Sequence, residues 1–110
     1  MSTTVKRVAT HGRNGNGAAR CIDARIPFTT AGALRGNFWR AGNPLGQLPD
    51  QYRAEFSAAV KAHGLRLFVV YSYSTPIAWI TPDGTVTRPE VRYSVTTSRH
   101  QGMCPRSSQL

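Results

Sequence analysis

The chain has 110 residues, enough for one small domain with a single core. Fourteen Lys and Arg residues against five Asp and Glu give a formal charge of +9, and twelve of the fourteen are arginine. Two cysteines are too few for a disulfide scaffold, and no apolar run has the roughly 18 residues of a membrane span or the apolar segment of a secretory signal. We therefore expect a cytoplasmic protein without a membrane partner, and the arginine excess favours a polyanionic one.

The N-terminal residues 1–22 are predicted to form a flexible basic arm. Lys6, Arg7, Arg13 and Arg20 are interspersed with glycine and asparagine, and the segment shows no hydrophobic periodicity. Residues 23–104 are then one α+β domain, and residues 105–110 are a frayed tail.

The next segment combines a short strand with a glycine-rich loop. Residues 25–30 have strand-like composition, and Pro27 restricts them to a sheet edge or a strand start. The loop that follows carries Arg35, Trp39 and Arg40, and an aromatic residue between arginines suits base stacking and phosphate contact. The pattern suits a loop with its aromatic rings packed under the core equally well, and for Trp39 we favour that interpretation.

An amphipathic helix is predicted to start at Leu48-Pro49-Asp50 and to end at Gly64. Within it, apolar residues recur at helical spacing, and polar residues take the other side. This pattern predicts a helix that packs on one face of a sheet. The members of the apolar face are Tyr52, Phe56, Ala59, Val60 and His63.

The rest of the domain is predicted to be an antiparallel β-meander. Residues 67–71 are continuously apolar, which is typical of a central strand buried on both faces. Residues 77–80 form the next strand, and the turn Pro82-Asp83-Gly84 leads into a strand at 85–87. A last strand is expected at 91–99 because its apolar and polar residues alternate.

The polar side of this last strand is the densest group of hydrogen-bonding side chains in the chain. Hydroxyls, a guanidinium and an imidazole can all bond to phosphate or base edges, although a solvated sheet face has the same composition. Together with the arginine-bearing loop, it supplies our candidate nucleic-acid-binding residues. They are Arg92, Arg99, His100, Ser98, Thr96, Arg88, Arg35, Arg40 and Trp39.

Catalysis and metal binding have weaker support in the sequence. His100 as acid or base beside Arg99 would make a metal-independent ribonuclease. The five carboxylates are scattered, which disfavours a two-metal nuclease. A zinc site would need His100 and Cys104 with His11 and Cys21 from the predicted arm. We predict no metal and no cofactor.

Two sequence runs, YSYSTPIAW at 71–79 and YSVTTSRHQ at 93–101, resemble small uncharacterised proteins of actinobacterial phages and their hosts. The resemblance covers residues 65–101 and leaves out the N-terminal arm. It implies a phage or prophage accessory protein that acts in the cytoplasm of the bacterial host. It implies no activity and no catalytic residue.

The sequence therefore favours a small non-catalytic protein that binds DNA or RNA through backbone phosphates. The alternative is a host-directed protein that binds and modulates a bacterial protein, and the third possibility is the ribonuclease. Basic side chains on a single face favour nucleic acid, whereas arginines spread around an apolar patch favour a protein partner. We also expect a homodimer formed through an exposed edge of strand 91–99.

Overall fold

The computed structural model describes residues 5–9, 17–42, 45–89, 95–102, 104–105 and 107. Within these residues, a six-stranded sheet is accompanied by three α-helices. The strands are β1 (Lys6–Arg7), β2 (Phe28–Thr29), β3 (Leu34–Phe38), β4 (Phe68–Ser72), β5 (Thr75–Ile80) and β6 (Val86–Thr87). The helices are α1 (Ala18–Ala24), α2 (Asp50–His63) and α3 (Val95–Gln101), and a 3₁₀ turn covers Gly64–Arg66.

The strands lie in the sheet in their order along the chain, from β1 to β6. Each neighbouring pair from β2 to β6 is antiparallel, whereas β1 pairs with β2 in parallel. The predicted α+β class with an antiparallel meander is therefore confirmed. In the described part of the chain, no helix is long and apolar enough to cross a membrane.

The central strand β4 is buried along its whole length, as predicted. Because side chains alternate along a strand, Phe68 and Val70 contribute to one core cluster while Val69 and Tyr71 contribute to the other. Helix α1 packs with the first cluster and α2 with the second. We call the two sides of the sheet the α1 face and the α2 face.

Helix α2 confirms the predicted amphipathic helix and its stop at Gly64, which has a φ of +54°. Phe56 is buried and meets Trp79 of β5 edge to face, with ring centroids 5.0 Å apart. Tyr52, Ala59 and Val60 are half-buried against the same cluster. One buried aromatic residue thus anchors the helix, and its half-buried neighbours pack against the same cluster.

Strand β3 corrects the prediction of a loop after Gly32. Residues 34–38 pair with β2 and β4, although glycine and arginine give them little strand propensity. Gly36 explains the difference, because a Cβ atom built on it would lie 2.5 Å from the Phe28 ring and 3.1 Å from the Phe68 ring. The missing side chain makes room for two core aromatics.

Helix α1 corrects the predicted flexible arm. Ala18, Cys21 and Ile22 recur at helical spacing and are buried in the α1-face core. Arg7 and its neighbour in β1 are also paired to β2. Residues 17–22 therefore belong to the folded domain, whereas residues 1–4 and 10–16 of the predicted arm lie outside the described residues.

Helix α3 corrects the predicted last strand, because residues 95–101 are helical. Its buried residues Thr97, His100 and Gln101 have the i, i+3, i+4 spacing of a helix face. They are polar, so a search for hydrophobic periodicity does not find them. The homodimer stays a prediction, but the helix removes the edge strand on which we based it, and residues 90–94 lie outside the described part of the chain.

Ser107 corrects part of the predicted frayed tail, because it is hydrogen-bonded to the folded domain. The hydroxyl of Ser107 accepts from the backbone N–H of Arg88 at 2.7 Å and donates to its carbonyl at 3.1 Å. Residue 107 is therefore held against the strand end near residue 88.

The α2 face supplies the first prediction. Phe56→Ala should reduce the free energy of unfolding by about 3–5 kcal/mol, because it removes a buried ring and leaves a cavity against Trp79. Chemical denaturation measures the change. Ala58→Gly, at an exposed position of the same helix, is the control and should cost about 1 kcal/mol. A loss below about 1 kcal/mol for Phe56→Ala would contradict the packing described here.

Candidate functional site

A row of polar residues crosses the first three strands on the α2 face. Arg7 of β1 is in register with Thr29 of β2, and Thr29 is in register with Arg35 of β3. Paired positions point to the same side of a sheet, and Arg35 is in turn paired with Tyr71 of the α2-face core. Arg7 and Thr29 are exposed, so α2 leaves this end of the face open.

The guanidinium of Arg35 lies over the ring of Tyr71, 4.4 Å from its centroid. This cation–π contact places a half-buried arginine at the boundary between the core and the open end of the face. Two strand spacings of about 4.8 Å put the Cα atoms of Arg7 and Arg35 roughly 10 Å apart. The row therefore presents two guanidiniums with an exposed hydroxyl between them.

Strand β3 continues the row toward a surface cavity. Asn37 pairs with Val69, and Trp39 packs against the α2-face cluster, so both lie on the same side as Arg35. A cavity of about 460 Å³ lies here and is lined by residues 37–40 and Leu65. Trp39 is half-buried, whereas Arg40 and Leu65 are exposed. Trp39 thus packs against the core, as we favoured, and also borders an open cavity.

We name this surface, formed by Arg7, Thr29, Arg35, Asn37, Trp39, Arg40 and Leu65, the β1–β3 surface. The strands β1, β2 and β3 contain no acidic residue. Among the described residues, one arginine forms an ion pair with a carboxylate: Arg53 Nε lies 3.9 Å from Asp50 Oδ1, and both residues belong to α2. The arginines of the β1–β3 surface are therefore not neutralised by described carboxylates.

A buried polar cluster lies on the α1 face, where β4 meets α3. Ser72 Oγ lies 3.1 Å from Thr97 Oγ1 and 2.7 Å from Nδ1 of His100. All three residues are at least nine-tenths buried. The two sequence runs that carried the family resemblance are thus joined in space, although a helix replaces the expected neighbouring strand.

The hydrogen-bond directions within this cluster bear on its chemistry. A serine hydroxyl has one proton, so Ser72 can donate to Thr97 or to Nδ1 of His100 but not to both, and the tautomer of the imidazole decides which. Either arrangement joins Ser72 of β4 to two residues of α3. The cluster holds α3 to the sheet, and the predicted position of His100 on an exposed strand face is wrong.

Arg88 and Gln101 extend the attachment of α3. The Arg88 guanidinium donates to the carbonyls of Gln101 and Cys104, at 3.1 Å each, and so satisfies carbonyls at and just after the end of α3. The Gln101 amide donates to the carbonyl of Pro89 at 2.9 Å. Arg88, predicted as a phosphate contact, is therefore engaged in holding the C-terminal segment.

A second cavity, of about 390 Å³, lies beside the β4–β5 hairpin and reaches Ser72 and Thr97. The loop before α2 forms one wall, where the backbone N–H of Gln47 donates to Thr75 Oγ1 at 3.0 Å. A Cβ atom at Gly46, whose φ is +52°, would lie 2.6 Å from the carbonyl oxygen of Ser74. Glycine is therefore required where this loop touches the hairpin.

The remaining predicted site residues are divided between two places. Ser98 and Arg99 are exposed on α3, on the opposite side of the sheet from Arg35. Thr96 belongs to α3, but its side chain is outside the described part of the structure. Arg92 lies outside the described residues altogether. The structure thus brings together Arg35, Trp39 and Arg40, and it separates them from the residues predicted near the C-terminus.

No metal centre emerges from the described residues, since no three His, Cys, Asp or Glu side chains among them are grouped to hold an ion. Cys21 and Cys104 are both buried in the α1-face core with free thiols. His100 bonds to Ser72 rather than forming a half-site with Cys104.

Comparison with known families matches residues 6–104 to DUF8033, a family of unknown function. The chain belongs to this family. The DUF8033 match begins at β1 and ends at Cys104, so it includes α1 and both joined sequence runs. No curated protein and no solved structure matches the chain.

Sequence reasoning missed several residues of the two sites in this DUF8033 protein. Arg7 was assigned to an arm, and Thr29 and Asn37 carry no distinctive motif. Ser72 and Thr97 stand out in the sequence only as members of the quoted runs 71–79 and 93–101. The helical spacing of Thr97 with the later buried polar residues was the available signal for the cluster on α3.

The buried cluster supplies the second prediction. Ser72→Ala should cost about 1–3 kcal/mol of unfolding free energy, because it removes a buried partner from both Thr97 and His100. Ser74→Ala, two residues away at an exposed position, is the matched control and should change stability by less than about 0.5 kcal/mol. Equal effects of the two changes in urea denaturation would contradict the role of the cluster.

The third prediction concerns the buried thiol of Cys104. Burial raises the pKa of Cys104 from 9.0 to about 12, although the nearby Arg88 opposes the rise. The neutral thiol is favoured in the folded state, so its contribution to stability is complete below pH 9.0 and is lost as pH rises toward about 12. A disulfide reagent at pH 8 should therefore leave Cys104 of the native protein unmodified and label it in guanidinium chloride. Rapid labelling of the native protein would contradict this burial.

Proposed function

We propose that the protein binds nucleic acid without catalysis, through contacts between the β1–β3 surface and backbone phosphates. The observation that carries the proposal is the register of Arg7, Thr29 and Arg35 on one open end of a sheet face. Arginine binds phosphate oxygens bidentately, and an exposed hydroxyl beside it can add a further hydrogen bond. Three paired strands hold the backbones of these residues in a fixed relation, so binding has to order their side chains alone.

The cavity at the end of β3 supports the same proposal. Trp39 offers part of an aromatic face beside the exposed Arg40, and Leu65 adds an apolar edge that is 68% exposed. Aromatic rings next to arginines are a recurrent platform for unstacked bases. The phosphate backbone of a bound nucleic-acid strand can follow the arginine row while one of its bases enters this cavity.

The other exposed arginines supply a more general attraction. Arg20, Arg66 and Arg99 lie on or next to other elements, so positive charge is not confined to the β1–β3 surface. A formal charge of +9 steers a polyanion toward the whole molecule. The β1–β3 surface is proposed as the place where direct contacts form.

Within this proposal, the protein acts in the cytoplasm of a bacterial host as a phage or prophage accessory protein. The resemblance of residues 71–79 and 93–101 to actinobacterial phage proteins supports this setting. A protein partner is the competing function. The exposed large apolar residues of the described chain are Val5, Ile26, Leu65 and Tyr73. Val5 and Ile26 lie just before the paired strands β1 and β2, whereas Leu65 and Tyr73 lie at opposite ends of β4, so the four do not form one apolar patch.

The fourth prediction tests the location of the contacts by the salt dependence of binding. Fluorescence anisotropy with duplex DNA should give a log–log slope of about −4 to −5 between about 50 and 200 mM salt if ~5 phosphates are contacted. Arg35→Gln should reduce the magnitude of the slope by about 1 and weaken binding to all sequences alike. Single-stranded DNA and RNA of about 16 nucleotides, measured in parallel, determine which nucleic acid is preferred.

Two variants with the same loss of charge control for long-range electrostatics. Lys61→Gln changes an exposed position of α2, and Arg99→Gln changes the exposed side of α3. Both should leave the slope nearly unchanged. A reduced slope for Arg99→Gln but not for Arg35→Gln would place the contacts on α3 instead. Absence of binding to any DNA or RNA at ~50 mM salt and micromolar protein would reject the proposal in favour of a protein partner.

A further inference from the structure

The β4–β5 hairpin contains a residue in a conformation that its side chain disfavours. Tyr73 has a φ of +56° in the two-residue loop between Ser72 and Thr75. Loops of this length favour glycine where φ is positive, because a Cβ atom is crowded by the backbone there. The backbone N–H of Tyr73 donates to the carbonyl of Ala33 at 3.1 Å, a bond that glycine would also make.

The tyrosine side chain does not offset this strain by packing. Tyr73 is 60% exposed, so its ring contributes little to either core cluster. It lines the 390 Å³ cavity beside the hairpin, whose deeper wall reaches the buried Ser72 and Thr97. Strain that folding does not explain is characteristic of functional positions.

The chemistry of this cavity restricts its ligand. Its lining comprises glycine, glutamine, tyrosine, two serines and two threonines, and none of these residues carries a charge. The cavity therefore offers no positive charge to a phosphate or carboxylate group. Gln47 and Ser74 are exposed in this lining, and an amide and a hydroxyl can both donate and accept, so they can match the polar edge of a ring.

The cavity is also prepared for binding before a ligand arrives. His100 fixes Ser72 from behind at 2.7 Å, and Ser72 in turn holds Thr97. The N–H of Gln47 fixes Thr75 at 3.0 Å. The exposed Tyr73 ring offers an apolar surface above this fixed inner wall, and the exposed Gln47 and Ser74 offer hydrogen-bonding groups. These match the two kinds of surface that a nucleobase presents by its face and its edge.

We propose that the cavity beside the β4–β5 hairpin binds an uncharged nucleobase, with the Tyr73 ring stacked on the base and the side chains of Gln47 and Ser74 bonded to its edge. The ligand is a nucleoside, or one base of a bound strand whose phosphates remain outside. The volume of about 390 Å³ falls within the range of small-molecule sites. The hairpin cavity and the Trp39 cavity lie at opposite ends of β3. Binding of a base in the hairpin cavity requires no phosphate contact.

The test measures stability and binding in the same variant. Adenosine, guanosine, cytidine and uridine are titrated separately into the ¹⁵N-labelled protein and followed by NMR, with glucose as an uncharged polyhydroxyl comparison. At least one nucleoside should bind saturably and shift the amides of Gln47, Ser74 and Thr75, while glucose should not. Binding should not depend on salt, because these ligands carry no charge.

Tyr73→Gly should then change stability and affinity in opposite directions. Relief of the positive-φ strain should raise the Tm by a few degrees, while loss of the stacking ring should weaken nucleoside binding about tenfold. Arg25→Gly is the matched control, since Arg25 ends α1 with a φ of +56° and does not line the cavity. It should raise the Tm similarly and leave nucleoside affinity unchanged.

Several outcomes would overturn this inference. A lower Tm for Tyr73→Gly would show that the ring is needed for folding. Unchanged nucleoside affinity in that variant would remove the ring from the site, and absence of nucleoside binding to the wild type, or equal binding of glucose, would reject the ligand class. Arg35→Gln should not affect nucleoside binding, so failure here is distinguishable from failure of phosphate binding on the β1–β3 surface.

Discussion

The burial of β4 on both faces is the constraint on which the rest of the structure depends. Every residue of this strand is buried, so each face of the sheet must be covered where β4 lies. Helix α2 covers one face, and α1 with the C-terminal segment covers the other. The helices pack mainly on β4 and the strands beside it. The part of the α2 face that carries Arg7 and Thr29 is left exposed. The proposed phosphate-binding row occupies this open part of the sheet.

The two faces are covered by different kinds of contact. On the α2 face, an aromatic ring packs on another across the helix–sheet boundary. On the α1 face, α3 joins the sheet through Ser72, Thr97 and His100, and its C-terminal end is held by Arg88. Buried polar contacts of this kind add specificity of position, because each group loses hydrogen bonds if the helix rotates or shifts. The same fixed hydroxyls form the inner wall of the hairpin cavity.

The elements with a clear hydrophobic pattern could be predicted from the sequence, whereas β3 and α3, which lack such a pattern, could not. The central strand, α2 and the turn before β6 carry strong hydrophobic or turn signals, and they were predicted correctly. β3 depends on Gly36 making room for Phe28 and Phe68, which is a tertiary fact that composition does not contain. α3 depends on a buried polar face, and its hydroxyl-rich sequence alternates closely enough to resemble a strand.

The candidate site was predictable to a similar degree. Arg35, Trp39 and Arg40 were selected for their chemistry, and β3 does bring them to one part of the surface. Their in-register neighbours in β1 and β2 could not be identified, since pairing depends on long-range register. His100 was selected for its chemistry but is buried, because the imidazole serves as a hydrogen-bond partner of Ser72. Residue type alone does not separate a ligand-binding side chain from one that joins two elements.

The arginines illustrate the same distinction, and it limits what the net charge of +9 implies about binding. Arg88 donates to two carbonyls near the end of α3, and Arg53 donates to the carbonyls of Leu48 and Gly46 before α2. Both add to the long-range field, but part of each guanidinium is engaged by backbone carbonyls. Neutralising either one would alter the fold and the field together. A variant informative about binding must therefore come from arginines such as Arg7, Arg35 and Arg40, whose guanidiniums have no hydrogen bond to the described backbone.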